Sequence, residues 1–138
     1  MKSKNKARIS KSETNSKIEM VNNKSKYDLE DRTLLFAIEV RALVKLIPRT
    51  ISNIEDGKQL IRSSGSVAVN YIEANESLSK KDFLLRIRIC RKEAKEGILW
   101  LKLLSSENKD VEEKIKRLIQ EATELMMIMS SIMRKSEV

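Results

Sequence analysis

From Tyr27 onward, apolar residues return every three or four positions, the spacing of helices and not of strands. The first predicted helix has Asp28 as its cap, with Glu30 and Asp31 placing acid where a helix N-terminus is partially positive. Pro48 stops it at about Ile47, because proline lacks an amide hydrogen and disfavours helical backbone in the residue before it. Its apolar residues form two rows: Leu35, Ile38, Ala42, Leu46 and Phe36, Val40, Leu43, Ile47. So wide an apolar surface exceeds what one bundle core needs from a helix, and it predicts burial on two sides, as oligomerisation would require.

A loop over Ile51 to Asp56 is predicted next, then a second helix from about Gly57 to Ser77. Leu60, Ser64, Val67, Tyr71, Ala74 and Leu78 make one seam of it, and Ile61, Gly65, Ala68 and Ile72 an adjacent one. Ser79 caps the third helix, with Asp82 three residues on as in a capping box. Phe83, Ile87, Cys90, Ala94, Ile98, Leu101 and Leu104 run along its buried face. Asn108 or Asp110 starts the fourth, whose apolar residues extend from Ile115 to Met133 before Arg134 and Lys135. Short connections between long helices predict an all-α, antiparallel up-down four-helix bundle.

The second helix contains SSGSVAVN, unusually small and polar for a helix interior. Gly65 there costs up to about 1 kcal/mol against alanine. Ser64, Gly65 and Ala68 are therefore expected to let another backbone come close. Ser63, Ser66, Asn70, Glu73 and Ser77 fall on one polar stripe, expected to be a solvated face or a hydrogen-bonding strip between subunits.

Composition adds two boundaries. The chain has 138 residues, 4% aromatic, with three glycines and one proline, which suits one helical domain. Of its 28 basic residues, eight lie in residues 1–26 with only Glu13 and Glu19 opposing them, so most of the net +8 belongs to that segment. Rich in Lys, Ser and Asn, residues 1–26 are expected to be a disordered basic arm, leaving 27–138 as the bundle domain. The arm suits either a contact with nucleic acid or another acidic surface, or a plainer role as a solubilising extension or the product of an alternative translation start. One cysteine and no apolar run long enough to span a bilayer predict a cytoplasmic protein without membrane contact.

The absence of histidine removes the usual general base and the usual metal ligand, and with them any Ser-His or Cys-His nucleophile. Cys90 lies on an apolar seam and is expected to be inert. Glu73-x-x-Glu76 and Glu93-x-x-Glu96 resemble the paired carboxylates of helical magnesium-dependent pyrophosphatases. Glu93, however, lies about 20 Å along the third helix from its start, too far to share a metal with the first pair in an antiparallel hairpin. No enzyme, cofactor or metal site is therefore expected. The third helix instead carries Lys81, Arg88, Lys92, Lys95 and Lys102 near one line, with Arg91 beside it, an arrangement able to track a phosphate backbone without reading bases.

The runs YDLEDRTLLFAIEVRALVKLIP and QLIRSSGSVAVNYIEANESLSKKDFLLRIRICRKEAKEGILWLKLL, with the steps Asn70-x-x-Glu73, Ala74 to Glu76, Ser79-x-x-Asp82-Phe83 and Arg91 to Glu96, resemble the bacterial four helix bundle family first known as the S23 proteins encoded in intervening sequences of 23S ribosomal RNA genes. The resemblance spans about residues 27 to 133. It implies a homopentamer without catalytic activity. It also implies kinship with the accessory variability determinant protein of diversity-generating retroelements, a basic pentameric barrel that binds nucleic acid and works with a reverse transcriptase. The basic arm and Gly97 depart from the family pattern.

These readings combine into a homo-oligomeric bundle that contacts RNA or DNA through Lys81, Arg88, Arg91, Lys92, Lys95 and Lys102, with a reverse transcriptase as a further partner. Phe36, Val40, Leu43, Asn70 and Glu73 are its expected interface or structural-motif residues. The alternative is a protein-binding scaffold that docks a partner on the polar stripe and on Met126, Met127, Met129 and Met133.

Overall fold

The computed structural model describes residues 28–137, so the predicted basic arm lies outside the described residues. Four long helices account for almost all of the described chain: α1 (Leu29–Leu46), α2 (Ile51–Asn75), α3 (Lys80–Glu107) and α4 (Glu112–Glu137), with a short 3-10 turn at Lys109–Val111. The fold is an all-α bundle.

The helix ends follow the predicted chemistry at Asp28 and Ser79 but not at the starts of α2 and α4: α4 begins at Glu112 after the 3-10 turn, and Asn108 makes no side-chain cap there. The Asp31 amide donates to Asp28 Oδ1 at 3.3 Å, which makes Asp28 the α1 cap. Residues Ile51 to Asp56, expected to be a loop, are the first turns of α2. Thr50 is the reason: its Oγ1 accepts from the Asn53 amide at 3.2 Å, and Asn53 Nδ2 donates to the Pro48 carbonyl at 3.0 Å. The cap thereby follows Pro48 almost directly, and the connection shrinks to a few residues. Ser79 caps α3 through the Asp82 amide at 3.1 Å, and α3 continues to Glu107.

α3 packs against both α2 and α4. Its buried seam is Ile87, Cys90, Ala94, Gly97, Leu101 and Leu104. Contacts along the α2–α3 pair are Asn53 with Asn108, Ser63 with Gly97, Val67 with Cys90 and Asn70 with Arg86, so residues later in α2 meet residues earlier in α3. α1 lies beside α2, where a methyl group added at Gly57 would sit 3.3 Å from Val44 Cγ1. It also lies beside α4, where Glu39 feels Arg117 and Glu121.

The core joins Phe36, Val40 and Leu43 of α1 to Leu60 and Val67 of α2, the α3 seam, and Ile115, Ala122, Leu125 and Met129 of α4. Each large apolar side chain so buried contributes about 1.5–3 kcal/mol. Phe36, Val40 and Leu43, considered for a subunit interface, are therefore core residues of the chain itself. The large apolar residues that α1 leaves exposed are Leu34, Ile38 and Leu46, and Ala42 is exposed with them.

The small residues behave differently from expectation. What approaches Gly65 is the end of the Arg41 side chain, not a neighbouring backbone. The close approach is at α2–α3 instead, where Cys90 Sγ reaches the Val67 carbonyl at 3.4 Å and Gly97 is buried beside Ser63. Ser63 and Ser64 are both buried, and their hydroxyls donate to the carbonyls of Leu60 and Ile61 at 3.2 and 3.1 Å. Small size gives the close crossing, and local hydrogen bonds remove the cost of burying the hydroxyls.

One polar pair fixes the far end of that crossing. Asn53 Nδ2 donates to Asn108 Oδ1 at 2.9 Å while Asn108 Nδ2 donates to Asn53 Oδ1 at 2.8 Å. Asn108 Nδ2 also donates to the Leu104 carbonyl at 2.8 Å, so two buried amides are held by each other and by the backbone. Sliding α2 along α3 by one turn would strand both. Asn108→Ala, which leaves the Asn53 amide short of a partner, is expected to cost about 1–3 kcal/mol in urea denaturation. The double variant Asn53→Ala/Asn108→Ala should lose clearly less than the sum of the two single changes, as measured by a double-mutant cycle.

Candidate nucleic-acid interface

Because the α3 seam faces inward, the opposite side of this 28-residue helix faces outward. Lys81, Arg88, Lys92, Lys95 and Lys102 are all exposed there, and Arg91 is half-buried beside them. Lys81, Arg88, Lys95 and Lys102 recur every seven residues, so they advance about 10 Å per step along the axis while drifting only about 20° around it. The structure therefore brings the predicted cations onto one side of one rigid element.

Their charges are unequally compensated. Lys92 Nζ lies 3.8 Å from both Glu93 Oε2 and Glu96 Oε2, which uses part of its field locally. Among the described residues, Lys81, Lys95 and Lys102 have no such carboxylate partner. At the start of the ridge, Ser79, Lys81, Asp82, Leu85 and Arg88 line a shallow hollow. Leu85, Leu99 and Leu103 are each about half exposed, and at 100° per residue they fall in the same sector as the cations. Sequence reasoning collected the cations and left these leucines out, although their positions relative to Lys81 and Lys95 carry the same helical signal.

The polar stripe of α2 does not act as one surface. Ser63 is in the α2–α3 contact, and Asn70 is buried with its Oδ1 accepting from Arg86 Nη1 at 3.1 Å. Asn70 Nδ2 donates in turn to the Ser66 carbonyl at 2.9 Å and to Ser66 Oγ at 3.0 Å. Asn70 is thus the orienting partner of Arg86, a role that the sequence did not suggest because Arg86 lies on another helix. Glu73 remains exposed, with Ser77 Oγ donating to its carbonyl at 3.0 Å. Of the α4 methionines, Met129 and Met133 are core residues, Met126 is half-buried, and Met127 alone is exposed, which removes most of the predicted docking patch.

Burial displaces the Glu39 carboxyl and the Cys90 thiol from their ordinary range. Burial, reinforced by Glu121 and opposed by Arg117, raises the Glu39 carboxyl. Burial pushes the Cys90 thiol up to about 12. A nucleophilic cysteine needs its thiolate near neutral pH, and an apolar site works against that form. Among the described residues, no group of three or more potential ligands could hold a metal ion, and no helix is long and apolar enough to cross a membrane. Cys90 is expected to resist iodoacetamide at pH 8 in the native protein and to react once unfolded in guanidinium. Mass spectrometry checks this, and rapid native labelling would contradict the burial described.

No curated protein matches the chain. A crystal structure from Bacteroides thetaiotaomicron, of a protein with unknown function from the S23 ribosomal protein family, is similar at 30% identity and a TM-score of 0.69, covering 75% of this chain and 96% of that one. The model of the 23S rRNA-intervening sequence protein family matches residues 25–131, which takes in all of α1, α2 and α3 and most of α4. With that match over the folded helices and a bundle of the same kind in the solved relative, the chain belongs to the 23S rRNA-intervening sequence protein family.

Proposed function

We propose that this protein is a non-enzymatic, cytoplasmic bundle of antiparallel up-down helices that assembles into a homo-oligomeric ring of five subunits and binds RNA or DNA through the α3 ridge. The observation that carries the binding is the line of exposed cations, Lys81, Arg88, Lys95 and Lys102, on the outer side of one helix. Cations on a rigid line meet successive phosphates without reorganising, and the affinity comes from counterion release.

Assembly is supported by the second apolar row of α1. Ile38 and Leu46 of that row, with Leu34 beside it, are each more than half exposed while the other row fills the core, and a heterologous ring contact would cover them. A ring repeats the ridge in every subunit, so contacts that are weak singly become useful together. Membership of the intervening-sequence family supports a setting in which RNA is at hand, and the kinship with retroelement accessory proteins that the sequence resemblance implies points to a reverse transcriptase as a further partner.

Light-scattering mass and nucleic-acid binding across a salt series test both parts. A mass near five chains is expected, as is binding that falls about a hundredfold or more between about 50 and 200 mM salt. Lys95→Gln/Lys102→Gln should leave the mass unchanged and lower the salt slope by about two per subunit. A monodisperse monomer would refute the assembly. Binding that survives high salt would refute the phosphate contact, and no binding at any salt would favour the protein-docking scaffold.

A further inference from the structure

We infer that the nucleic acid suited to this ridge is double-stranded RNA, met side-on along α3. The inference rests on the ridge being the nucleic-acid contact and adds which nucleic acid it fits.

Three features of the ridge restrict its ligand. First, proteins that hold single strands stack the bases on aromatic side chains. Along α3 the aromatic residues are Phe83 and Trp100, both half-buried, and none stands exposed among the cations. A single strand would find phosphate partners here and nothing for its bases.

Second, α3 is flanked on both sides, by α2 and by α4. The major groove of B-form DNA is about 12 Å wide and takes a helix of about 10–12 Å, with little to spare for neighbours lying alongside. The minor groove of B-form DNA, about 6 Å wide, is narrower still. The minor groove of an RNA duplex is wide and shallow, and a helix with companions can rest on it along its length.

Third, the ridge is not purely ionic. Leu85, Leu99 and Leu103 are 48%, 51% and 41% exposed in the same sector as Lys81, Lys95 and Lys102. Leucines facing phosphates alone would gain nothing. On a shallow groove they reach the carbon edges of riboses and bases while the line of cations beside them reaches phosphates.

The test compares the full chain on a blunt RNA duplex of about 20 base pairs, long enough for a side-on footprint, with a DNA duplex and a single-stranded RNA of matched sequence, by fluorescence anisotropy with oligomer mass followed by light scattering. The RNA duplex is expected to bind about tenfold tighter than either alternative. Leu85→Ser/Leu99→Ser should weaken duplex RNA about fivefold to tenfold at unchanged salt slope, since it removes apolar contact and no charge. Equal binding of all three nucleic acids, or a leucine pair without effect, overturns the duplex assignment while leaving the ridge as a phosphate contact. Leucine variants that break up the oligomer overturn it as well, by placing those residues between subunits. Failure to bind any nucleic acid overturns the ridge as a nucleic-acid contact altogether.

Discussion

The seam of Ile87, Cys90, Ala94, Gly97, Leu101 and Leu104 is the constraint on which the rest of the bundle depends, because through it α3 packs extensively against both α2 and α4. Burying that seam orients α3 about its own axis. Once the axis is fixed, the residues half a turn away have no freedom to choose their surroundings: Lys81, Arg88, Lys95 and Lys102 must face outward, and Leu85, Leu99 and Leu103 must face outward with them. The candidate interface is a consequence of core packing, not an addition to it.

The α2–α3 crossing shows how a polar sequence can serve a buried contact. Bulky side chains would hold the two helices apart, whereas Cys90, Ala94 and Gly97 against Ser63 and Val67 allow a thiol to touch the opposite backbone. The serines find partners on their own helix, Asn70 on Ser66 and Arg86, and Asn53 and Asn108 on one another, while Arg86 Nε stays buried without a hydrogen-bond partner among the described residues. Apolar surface supplies most of the stability, while these hydrogen bonds make a shifted register costly.

Much of this is legible in the chain because helices repeat. The capping roles of Asp28 and Ser79, the stop at Pro48, the α3 seam and the cation line all follow from local spacing. Pairing between helices is less legible. Nothing in the spacing of α1 says which apolar row meets its own chain, and Phe36, Val40 and Leu43 proved to be core while Leu34, Ile38 and Leu46 stay exposed. Thr50 was passed over as a cap because the apolar period of α2 only becomes regular after Gly57, so the first turns looked like a loop. The Asn53–Asn108 and Asn70–Arg86 pairs join residues on different elements, where no local rule applies. The polar stripe misled for the opposite reason: its period was read correctly, but small buried serines and exposed ones look alike in sequence.

If the α3 seam is what holds the bundle and presents the ridge, the amides of α3 must be its most protected. Native-state hydrogen exchange measures this directly. Amides from Ile87 to Leu104 are expected to exchange only through global unfolding, at the full stability of the protein, with α1 and the ends of α4 opening earlier. Exchange of the α3 amides through local openings, ahead of those in α1, would contradict the account, because a ridge on a helix that frays by itself cannot be fixed by the core behind it.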